Sequence, residues 1–314
     1  MSEFLEPFER MLEDIAPPAA VRAIEQGSSI DAMWRAFAES GFLDALVPEE
    51  RGGAGLPLSE VQPLWMALGR HAVPLPVGET MIARALLADA PEAPVALAVA
   101  EGAAVVVPCG LVAAHLLVES GDGLHLIEAK GEATGVPASL AARFDLGALP
   151  APVVPAPEGS LRGLAAILRA ALVAGAAERL TAMTATYANE RVQFGKPIGR
   201  QQALQQQMAV MAEEMVAARV ASQLGCAGAF PPSLVAAATA KSVASRAAAC
   251  VAATAHAVHG AIGISEEYDL QLFTRRLHEW RLADGSETYW NRLLGAARLG
   301  DAGRSVDYVR EAFA

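Results

Sequence analysis

The chain has 314 residues, of which 53% are hydrophobic, and a formal net charge of −11 at pH 7. This length can bury a sizeable core and usually makes two or three structural units. The negative charge would repel a phosphate backbone and the basic residues form no run, so the composition argues against a nucleic-acid partner.

Targeting and redox signals are weak throughout the chain. Residues 1–6 lack the basic region and continuous apolar stretch of an export signal. Charges and prolines interrupt the apolar segments, and no uncharged apolar run is long enough to cross a bilayer, so we expect a soluble, cytoplasmic protein without membrane contact. Cys109, Cys226 and Cys250 are widely spaced and form no CxxC pair. We therefore expect reduced thiols and no metal site.

Residues 1–92 are predicted to form an N-terminal helical domain. Apolar side chains recur with helical periodicity over residues 4–15, 29–40 and 58–71. Pro17 and Pro18 interrupt that pattern, and the glycine-rich run before residue 58 predicts a tight turn between two helices.

Residues 93–157 change to short apolar runs typical of β-strands. These runs cover residues 95–99, 103–107, 115–119 and 124–128. Gly121, Asp122 and Gly123 suggest a hairpin turn between the last two runs. Four prolines between positions 150 and 157 then mark a linker, because proline at that density interrupts helices and central strands. The segment is therefore predicted to be a small, reduced β domain.

Residues 158–314 are predicted to form a C-terminal helical domain. Candidate helices cover residues 161–191, 200–227, 232–260, 266–281 and 286–299. The third of these is rich in alanine, whose small side chain permits contact with several neighbouring helices. Long helices with short connections predict a four-helix bundle, and the whole chain is predicted to be mainly α.

Two segments of the helical domain carry sequence motifs. The first is RVQFGKPI at residues 191–198, which continues into a glutamine-rich stretch. The second is HGAIG at residues 259–263, followed by Asp284, Gly285 and Ser286. In this order the two segments resemble the flavin-binding and catalytic motifs of the acyl-CoA dehydrogenases. The succession of a helical domain, a small β domain and a helical bundle is similar to the fold of that family.

The resemblance implies an FAD site shared across a subunit interface. In the family, the RxxFG segment reaches the adenosine and pyrophosphate part of FAD on a neighbouring chain, and the glycine-rich turn brings backbone close to the diphosphate. On spacing alone, Arg191 is better explained as a solvated cation at a helix end and Phe194 as core packing. The further matches favour the flavin site. Its candidate residues are Arg191, Gln193, Phe194, Gln202, Gly260 and Gly263.

The glycine-rich segment departs from the family pattern at two positions. Ala257 stands where the family usually has a glutamine, and Ala261 where it has a second glycine. One phosphate-side hydrogen bond is therefore missing unless His256 or His259 replaces it. Both histidines are otherwise expected to be ordinary interface or core residues.

Asp284 falls where many members of the family have their catalytic glutamate. In the family's reaction a carboxylate removes the α-proton of an acyl-CoA thioester while the β-hydride passes to N5 of the flavin. The resemblance makes Asp284 the candidate base and Ser286 a candidate flavin contact. Aspartate is one methylene shorter than glutamate, which changes its reach by about 1.5 Å. The alternative, which the residue types favour, is that Asp284 is the N-cap of the helix that follows it.

No carboxylate stands at the family's other base position, early in the first bundle helix, where this chain has Leu164, Ala165 and Ala166. Arg162 and Arg169 in the same helix are candidate CoA contacts, or else solvated helix charges.

The predicted β domain lacks two segments by which the family holds the flavin ring and the thioester: a TEPxxGS-like run and a tryptophan-containing strand. The chain therefore resembles the short subunits of heteromeric bacterial acyl-CoA dehydrogenases. The resemblance implies a longer partner subunit in an α2β2 assembly, an acyl-CoA substrate that is sterol-derived or otherwise bulky, and an electron-transfer flavoprotein as acceptor.

Two alternative functions stay open. A non-catalytic structural subunit of such an assembly is favoured by the missing β-domain motifs and by Ala257. A flavin oxidase that uses an aspartate base is suggested by Asp284 alone, and it would consume O2 without an electron-transfer partner.

Overall fold

The computed structural model describes residues 3–121 and 123–313. The N-terminal helices are α1 (Leu5–Ile15), α2 (Pro18–Glu25), α3 (Asp31–Ser40), α4 (Leu58–Arg70) and α5 (Val77–Leu86). The three helical segments predicted here are confirmed as α1, α3 and α4. Pro18, which we expected to interrupt helical structure, instead opens α2. Proline fits the first helical turn because the N–H that it lacks has no partner there.

The β region contains two three-stranded sheets within the described residues. Its strands are β1 (Val95–Val99), β2 (Ala104–Val107), β3 (His115–Ser120), β4 (Gly123–Glu128), β5 (Glu132–Ala133) and β6 (Ala142–Asp145). One sheet has the order β1-β3-β4, with β1 parallel and β4 antiparallel to β3. The other has the antiparallel order β2-β6-β5. The four predicted strands are confirmed as β1 to β4, and Asp122 of the predicted turn lies outside the described residues.

The strands β5 and β6 were not predicted from the sequence. β5 has two residues, both exposed. β6 alternates buried and exposed positions, but it has only four residues. An apolar alternation this short is difficult to distinguish from a loop.

The C-terminal helices form the predicted bundle. They are α6 (Ser160–Glu190), α7 (Gln202–Gly225), α8 (Leu234–His259), α9 (Leu270–Leu282), α10 (Glu287–Gly300) and α11 (Ser305–Ala312). The five predicted helices are confirmed as α6 to α10, whereas α11 was not predicted. The alanine-rich α8 packs against α6, α7, α9 and α10, as its composition indicated. The predicted domain boundaries at residues 92 and 157 fall between elements, but the division into three domains stays a prediction.

Two glycines set the close crossing between α4 and α6. A Cβ atom on Gly175 of α6 would overlap the carbonyl oxygen of Met66 in α4, and one on Gly69 of α4 would overlap that of Leu172 in α6. The backbones therefore approach more closely than side chains permit. This crossing fastens the N-terminal helices to the bundle.

A carboxylate joins the β region to the bundle. Glu119 of β3 accepts hydrogen bonds at its Oε2 atom from the Ser160 hydroxyl at 2.6 Å and from the backbone N–H of Leu161 at 2.5 Å. Both donors lie at the start of α6, where the helix dipole favours a negative charge. Glu119 thus caps the longest helix from outside it.

Glu119→Gln is expected to lower the free energy of unfolding by about 1 kcal/mol, because the amide keeps an acceptor but loses the charge at the helix N-terminus. Urea unfolding followed by circular dichroism measures it. Glu128→Gln on β4 is the control, since that side chain is largely exposed, and it should change stability by less than about 0.5 kcal/mol. Equal effects would contradict the cap.

Two helical segments, Ser160–Glu190 and Leu234–Ile264, are apolar and long enough to cross a membrane by length and composition. The expectation that no segment reaches this length is therefore corrected. Two such helices are weak evidence for a span, because the core helix of a soluble protein passes the same test. In the first segment 89% of the apolar window is buried inside the protein, as in a core helix, and in the second segment 44% of that window is buried.

Candidate functional site

The RVQFGKPI segment forms a small hairpin directly after α6. Strand β7 (Val192–Gln193) pairs antiparallel with β8 (Lys196–Pro197), and Phe194 and Gly195 form the turn with φ angles of 52° and 76°. A positive φ is uncommon for a residue other than glycine. Phe194 is 92% exposed, so the turn holds an aromatic ring away from the chain. The alternative that Phe194 is core packing is therefore wrong.

The glycine-rich segment ends α8 and continues as a short 3-10 helix, Gly260–Ile264. Gly260 has a φ of 60°, and apart from its own helical turn and chain neighbours no described atom lies within 4 Å of the position that its Cβ would occupy. Gly263 is packed instead, since a Cβ there would lie 2.9 Å from Leu270 Cδ2. Gly260 therefore leaves backbone open to approach, whereas Gly263 permits tight packing of the turn.

The hairpin and the glycine-rich turn lie at the same end of the bundle. Ala188 of α6, Ile198 after the hairpin and Val258 of α8 form one small buried cluster. The Tyr187 hydroxyl donates to the carbonyl of His259 at 3.4 Å, and the two rings stack with centroids 4.4 Å apart. We name this region, residues 191–202 with 260–264, the bundle-end site.

The polar candidates of the bundle-end site have no partner within the described part of the chain. The side chains of Arg191, Gln193 and Gln202 are exposed, and none makes a hydrogen bond or an ion pair to residues 3–121 or 123–313. Their donors are free to meet a ligand or another subunit.

His256 and His259 are differently placed. His259 is 3% exposed, and its Nδ1 atom lies 2.8 Å from the carbonyl oxygen of Ala255, so Nδ1 is the donor. His256 Nε2 lies 2.9 Å from the Thr274 hydroxyl. His256 thus contacts α9, whereas His259 bonds within its own helix and contacts α6 through its stacking on Tyr187. A role of either ring in place of the missing glutamine stays a prediction.

Asp284 and Ser286 lie at the other end of α9. That helix has 13 residues between the glycine-rich turn and Asp284, which separates them by about 20 Å at 1.5 Å per residue. The structure therefore brings six of the seven predicted cofactor residues together and leaves Ser286 beside Asp284.

Asp284 does not cap the next helix. The N-cap of α10 is Ser286, and Asp284 has a φ of 58° in the turn before it. The Oδ2 atom of Asp284 accepts a hydrogen bond from Nε of Arg169 at 3.0 Å. The capping alternative is therefore wrong, whereas the role of Asp284 as a base stays a prediction.

Arg169 is a buried cation, so its interpretation as a solvated helix charge is wrong. Its side chain is 1% exposed, and Nη1 donates to Glu79 Oε1 of α5 at 2.5 Å. Burial by itself lowers the pKa of Arg169, but the carboxylates of Glu79 and Asp284 raise it above its ordinary value. The guanidinium is thus held charged between two carboxylates.

Lys241 of α8 adds a second buried cation beside Asp284. Its side chain is fully buried, and Nζ donates to the Ser245 hydroxyl and to the carbonyls of Arg281 and Gly285 at 2.8–2.9 Å. Burial lowers the pKa of Lys241 to about 7, while the charge of Asp284 raises it. Three acceptors call for three N–H groups, which only the ammonium form has. The ammonium form therefore suits this site, and the amine loses that charge as the pH rises through its pKa.

Glu79, Arg169, Lys241 and Asp284 form what we name the buried charge cluster. Sequence reasoning missed Glu79 and Lys241 as members of it. A signal was present, because Arg169 and Lys241 are isolated cations within long apolar stretches of α6 and α8. A charge at such a position is buried only with a partner.

Two cavities flank the turn at Asp284. A polar one of about 430 Å³ is lined by Asp284 and by Arg162, whose guanidinium pairs with Glu101 at 2.6 Å and lies 5.0 Å from the centre of the Tyr289 ring. An apolar one of about 570 Å³ lies between the β region and α9, and Val106 contributes to both. The turn thus separates a polar from an apolar compartment.

Comparison with known proteins gives consistent matches. The family model described as "Acyl-CoA dehydrogenase, C-terminal domain" matches residues 163–300. Acyl-CoA dehydrogenase IpdE2 of Mycobacterium tuberculosis is 36% identical over 283 residues, which cover 84% of this chain and 86% of that protein.

Solved structures show the same fold. A chain of the ChsE4-ChsE5 complex from Mycobacterium tuberculosis has a TM-score of 0.81 at 22% identity, over 95% of this chain and 97% of that chain. A chain of the Tcur3481-Tcur3483 steroid ACAD has a TM-score of 0.81 at 26% identity, over 96% and 98%.

Proposed function

The chain belongs to the acyl-CoA dehydrogenase family, and we propose that it is the shorter subunit of a heteromeric, FAD-dependent acyl-CoA dehydrogenase. The single observation that carries this proposal is the bundle-end site, where exposed and unpaired polar side chains lie beside an open glycine backbone. The polar candidate side chains of this site are exposed to solvent, as a site shared with another subunit requires.

The bundle-end site fits the phosphate and adenosine part of FAD. Arg191 offers a planar fork of N–H donors that matches phosphate oxygens. Gly260 lets backbone approach the diphosphate, since no side chain stands in the way. Phe194 supplies an apolar surface, and Gln193 and Gln202 supply amide donors. When bound there, FAD would supply the acceptor for the hydride that leaves the β-carbon of the substrate.

The exposure of the bundle-end residues supports the proposal of a partner subunit. Phe194 is 92% exposed on a hairpin, where its ring is accessible to a ligand or to another subunit. The ChsE4-ChsE5 and Tcur3481-Tcur3483 structures each name two components. We propose an α2β2 assembly in which a longer subunit supplies the β-side flavin contacts that this chain lacks.

The proposed substrate is the CoA thioester of a sterol-derived or otherwise bulky acid. Support comes from the Tcur3481-Tcur3483 relative, which is described as a steroid ACAD. The proposed electron acceptor is an electron-transfer flavoprotein, and the proposed location is the cytoplasm.

A second function, a non-catalytic structural subunit, is favoured by one observation. Asp284 is engaged by a fully buried arginine, so this chain's own cavity offers no unpaired carboxylate at that position. If the partner subunit performs the chemistry, the shorter subunit of the dehydrogenase and the non-catalytic structural subunit are the same role. No contact in the described residues favours the flavin oxidase.

Arg191→Met is expected to weaken FAD binding by the complex by about 10- to 100-fold, because one charge-assisted hydrogen bond to phosphate is lost. The complex is copurified with its longer subunit, and flavin retention is measured by visible absorbance during dialysis. Arg35→Met, an exposed arginine of α3, is the matched control and should retain FAD like the wild type. Unchanged retention in Arg191→Met would refute the bundle-end site.

The visible absorbance of the chain purified without its partner is a second test of the proposed function. We expect it to be colourless and to carry flavin only with the longer subunit. Stoichiometric oxidised-flavin bands in the chain alone would instead support a homomeric enzyme.

A further inference from the structure

We infer that Tyr187 is a positioning residue of the bundle-end site, and that it holds the Arg191 side of that site at a fixed distance from the open backbone at Gly260. The inference deepens the proposed function and rests on it for the ligand, FAD. Tyr187 itself belongs to neither the hairpin nor the glycine-rich turn. It lies half-buried in the last turn of α6 and acts through its neighbours.

The backbone of Tyr187 holds the start of the hairpin. Its carbonyl oxygen accepts a hydrogen bond from the N–H of Arg191 at 2.8 Å. The carbonyl of Arg191 in turn accepts one from the N–H of Ile198 at 2.8 Å, which closes the hairpin. Two successive backbone hydrogen bonds thus connect the end of α6 to the hairpin. A contact made by the Tyr187 side chain therefore acts on Arg191 through a short and rigid segment.

The side chain of Tyr187 reaches the other half of the site. Its hydroxyl donates to the carbonyl oxygen of His259 at 3.4 Å. That carbonyl belongs to the planar peptide group that joins His259 to Gly260. The N–H of the same peptide group donates to the carbonyl of His256. The peptide in front of the open Gly260 backbone is thus held from both sides, from α8 by its N–H and from α6 by Tyr187.

The ring of Tyr187 adds a second contact to the same residue. It stacks on the His259 ring with centroids 4.4 Å apart and planes inclined by 23°. His259 is fixed in turn, because it is 3% exposed and its Nδ1 donates to the carbonyl of Ala255 at 2.8 Å. Burial lowers the pKa of His259, so the ring is neutral at pH 7. Tyr187 therefore stacks on an uncharged ring that cannot turn without losing a hydrogen bond.

The Tyr187 contacts orient the two halves, whereas the neighbouring apolar contacts only hold them together. Ala188, Ile198 and Val258 form the buried cluster between the halves, and apolar burial has no preferred direction. In the part of the chain that the structure describes, no other hydrogen bond joins residues 187–202 to residues 256–264. Hydrogen bonds to phosphate weaken steeply with distance and angle. The spacing of Arg191 from Gly260 therefore matters for a ligand that meets both.

FAD titration of the complex with the longer subunit tests the inference. FAD is removed from the copurified complex and added back, and flavin fluorescence gives the Kd for FAD. Tyr187→Leu is expected to raise this Kd about tenfold, because it removes both the stacking and the hydroxyl. Tyr187→Phe keeps the ring and should raise the Kd by about threefold or less. Tyr308→Leu replaces a tyrosine of α11, outside the bundle-end site, and should leave the Kd unchanged.

A double variant separates positioning from a general loss of structure. A residue that acts by placing Arg191 loses most of its effect once Arg191 is replaced. In the Arg191→Met background, Tyr187→Leu should therefore raise the Kd by less than about threefold. A full tenfold rise in that background would overturn the positioning role. His259→Leu removes the same contact from the other side and should reproduce the effect of Tyr187→Leu, so it carries the test if Tyr187→Leu does not fold.

The same titrations distinguish this inference from the proposed function. If Arg191→Met weakens FAD binding while Tyr187→Leu and His259→Leu bind FAD like the wild type, the positioning role alone is refuted. If Arg191→Met binds FAD like the wild type, or the wild-type complex binds no FAD, the proposed function fails and this inference fails with it.

Discussion

Replacing Gly175 by alanine is expected to destabilise the protein by about 3 kcal/mol or more, which is at the upper end of overpacking effects. The new Cβ atom would overlap the carbonyl oxygen of Met66 and would lie 3.0 Å from the backbone nitrogen of Arg70, both in α4. These are backbone atoms inside a helix, so they cannot turn away as a side chain does. Either α4 moves away from α6 and opens the core, or the helix bends.

Gly163→Ala is the matched control for that prediction, because Gly163 lies in the same helix. A Cβ there would meet only the Cβ of Ala237, at an ordinary 3.7 Å. Alanine is favoured over glycine in a helix by about 1 kcal/mol, so this variant should be neutral or stabilising. Urea unfolding of both variants measures the difference. If Gly175→Ala were as stable as Gly163→Ala, the close crossing of α4 and α6 would be refuted.

Arg169→Met is expected to lower the free energy of unfolding by about 3–5 kcal/mol, the cost of breaking a buried ion pair from one side. Methionine fills much of the volume, but Glu79 and Asp284 lose their shared cation. Only Lys241 then opposes two buried carboxylates. The measurement is again urea unfolding, at pH 7 and low salt.

Two further variants make the result for Arg169 interpretable. Arg10→Met breaks an ion pair whose side chains are both 72% exposed, and it should cost less than about 1 kcal/mol. Adding Glu79→Gln to Arg169→Met removes one of the two unpaired carboxylates, so the double variant should be more stable than Arg169→Met. A double variant that is less stable would show that packing, and not charge, dominates at this position.

Apolar runs and the breaks between them located most helices and the longer strands. The β1 to β4 strands and the α6 to α10 helices were predicted close to their observed bounds, because the strands are short apolar runs and the helices are long stretches with short connections. The missed elements give no such signal. The last helix, α11, buries none of its residues within the described chain, and β5 has only two residues.

The structure of the hairpin motif also depends on residues that are near neighbours in the chain. The hairpin that follows α6 is encoded by RVQFGKPI, since Gly195 permits the positive φ of its turn. Phe194 is 92% exposed, and its role toward a ligand or a partner stays a prediction. What the motif could not show is that Arg191 and Gln202 have no partner within the described residues, so that they are available to a ligand.

The sequence by itself determined the succession of helices and strands, the family resemblance and the candidate residues, because these depend on patterns between near neighbours in the chain. Only the tertiary structure decided what those candidates touch. Arg169 is 90 residues from Glu79 and 115 from Asp284 along the chain, and no periodicity reports a contact over such a separation. The physical reason is that a pattern reveals which face of an element is buried, whereas the charge that lies across that face is set by how the elements pack.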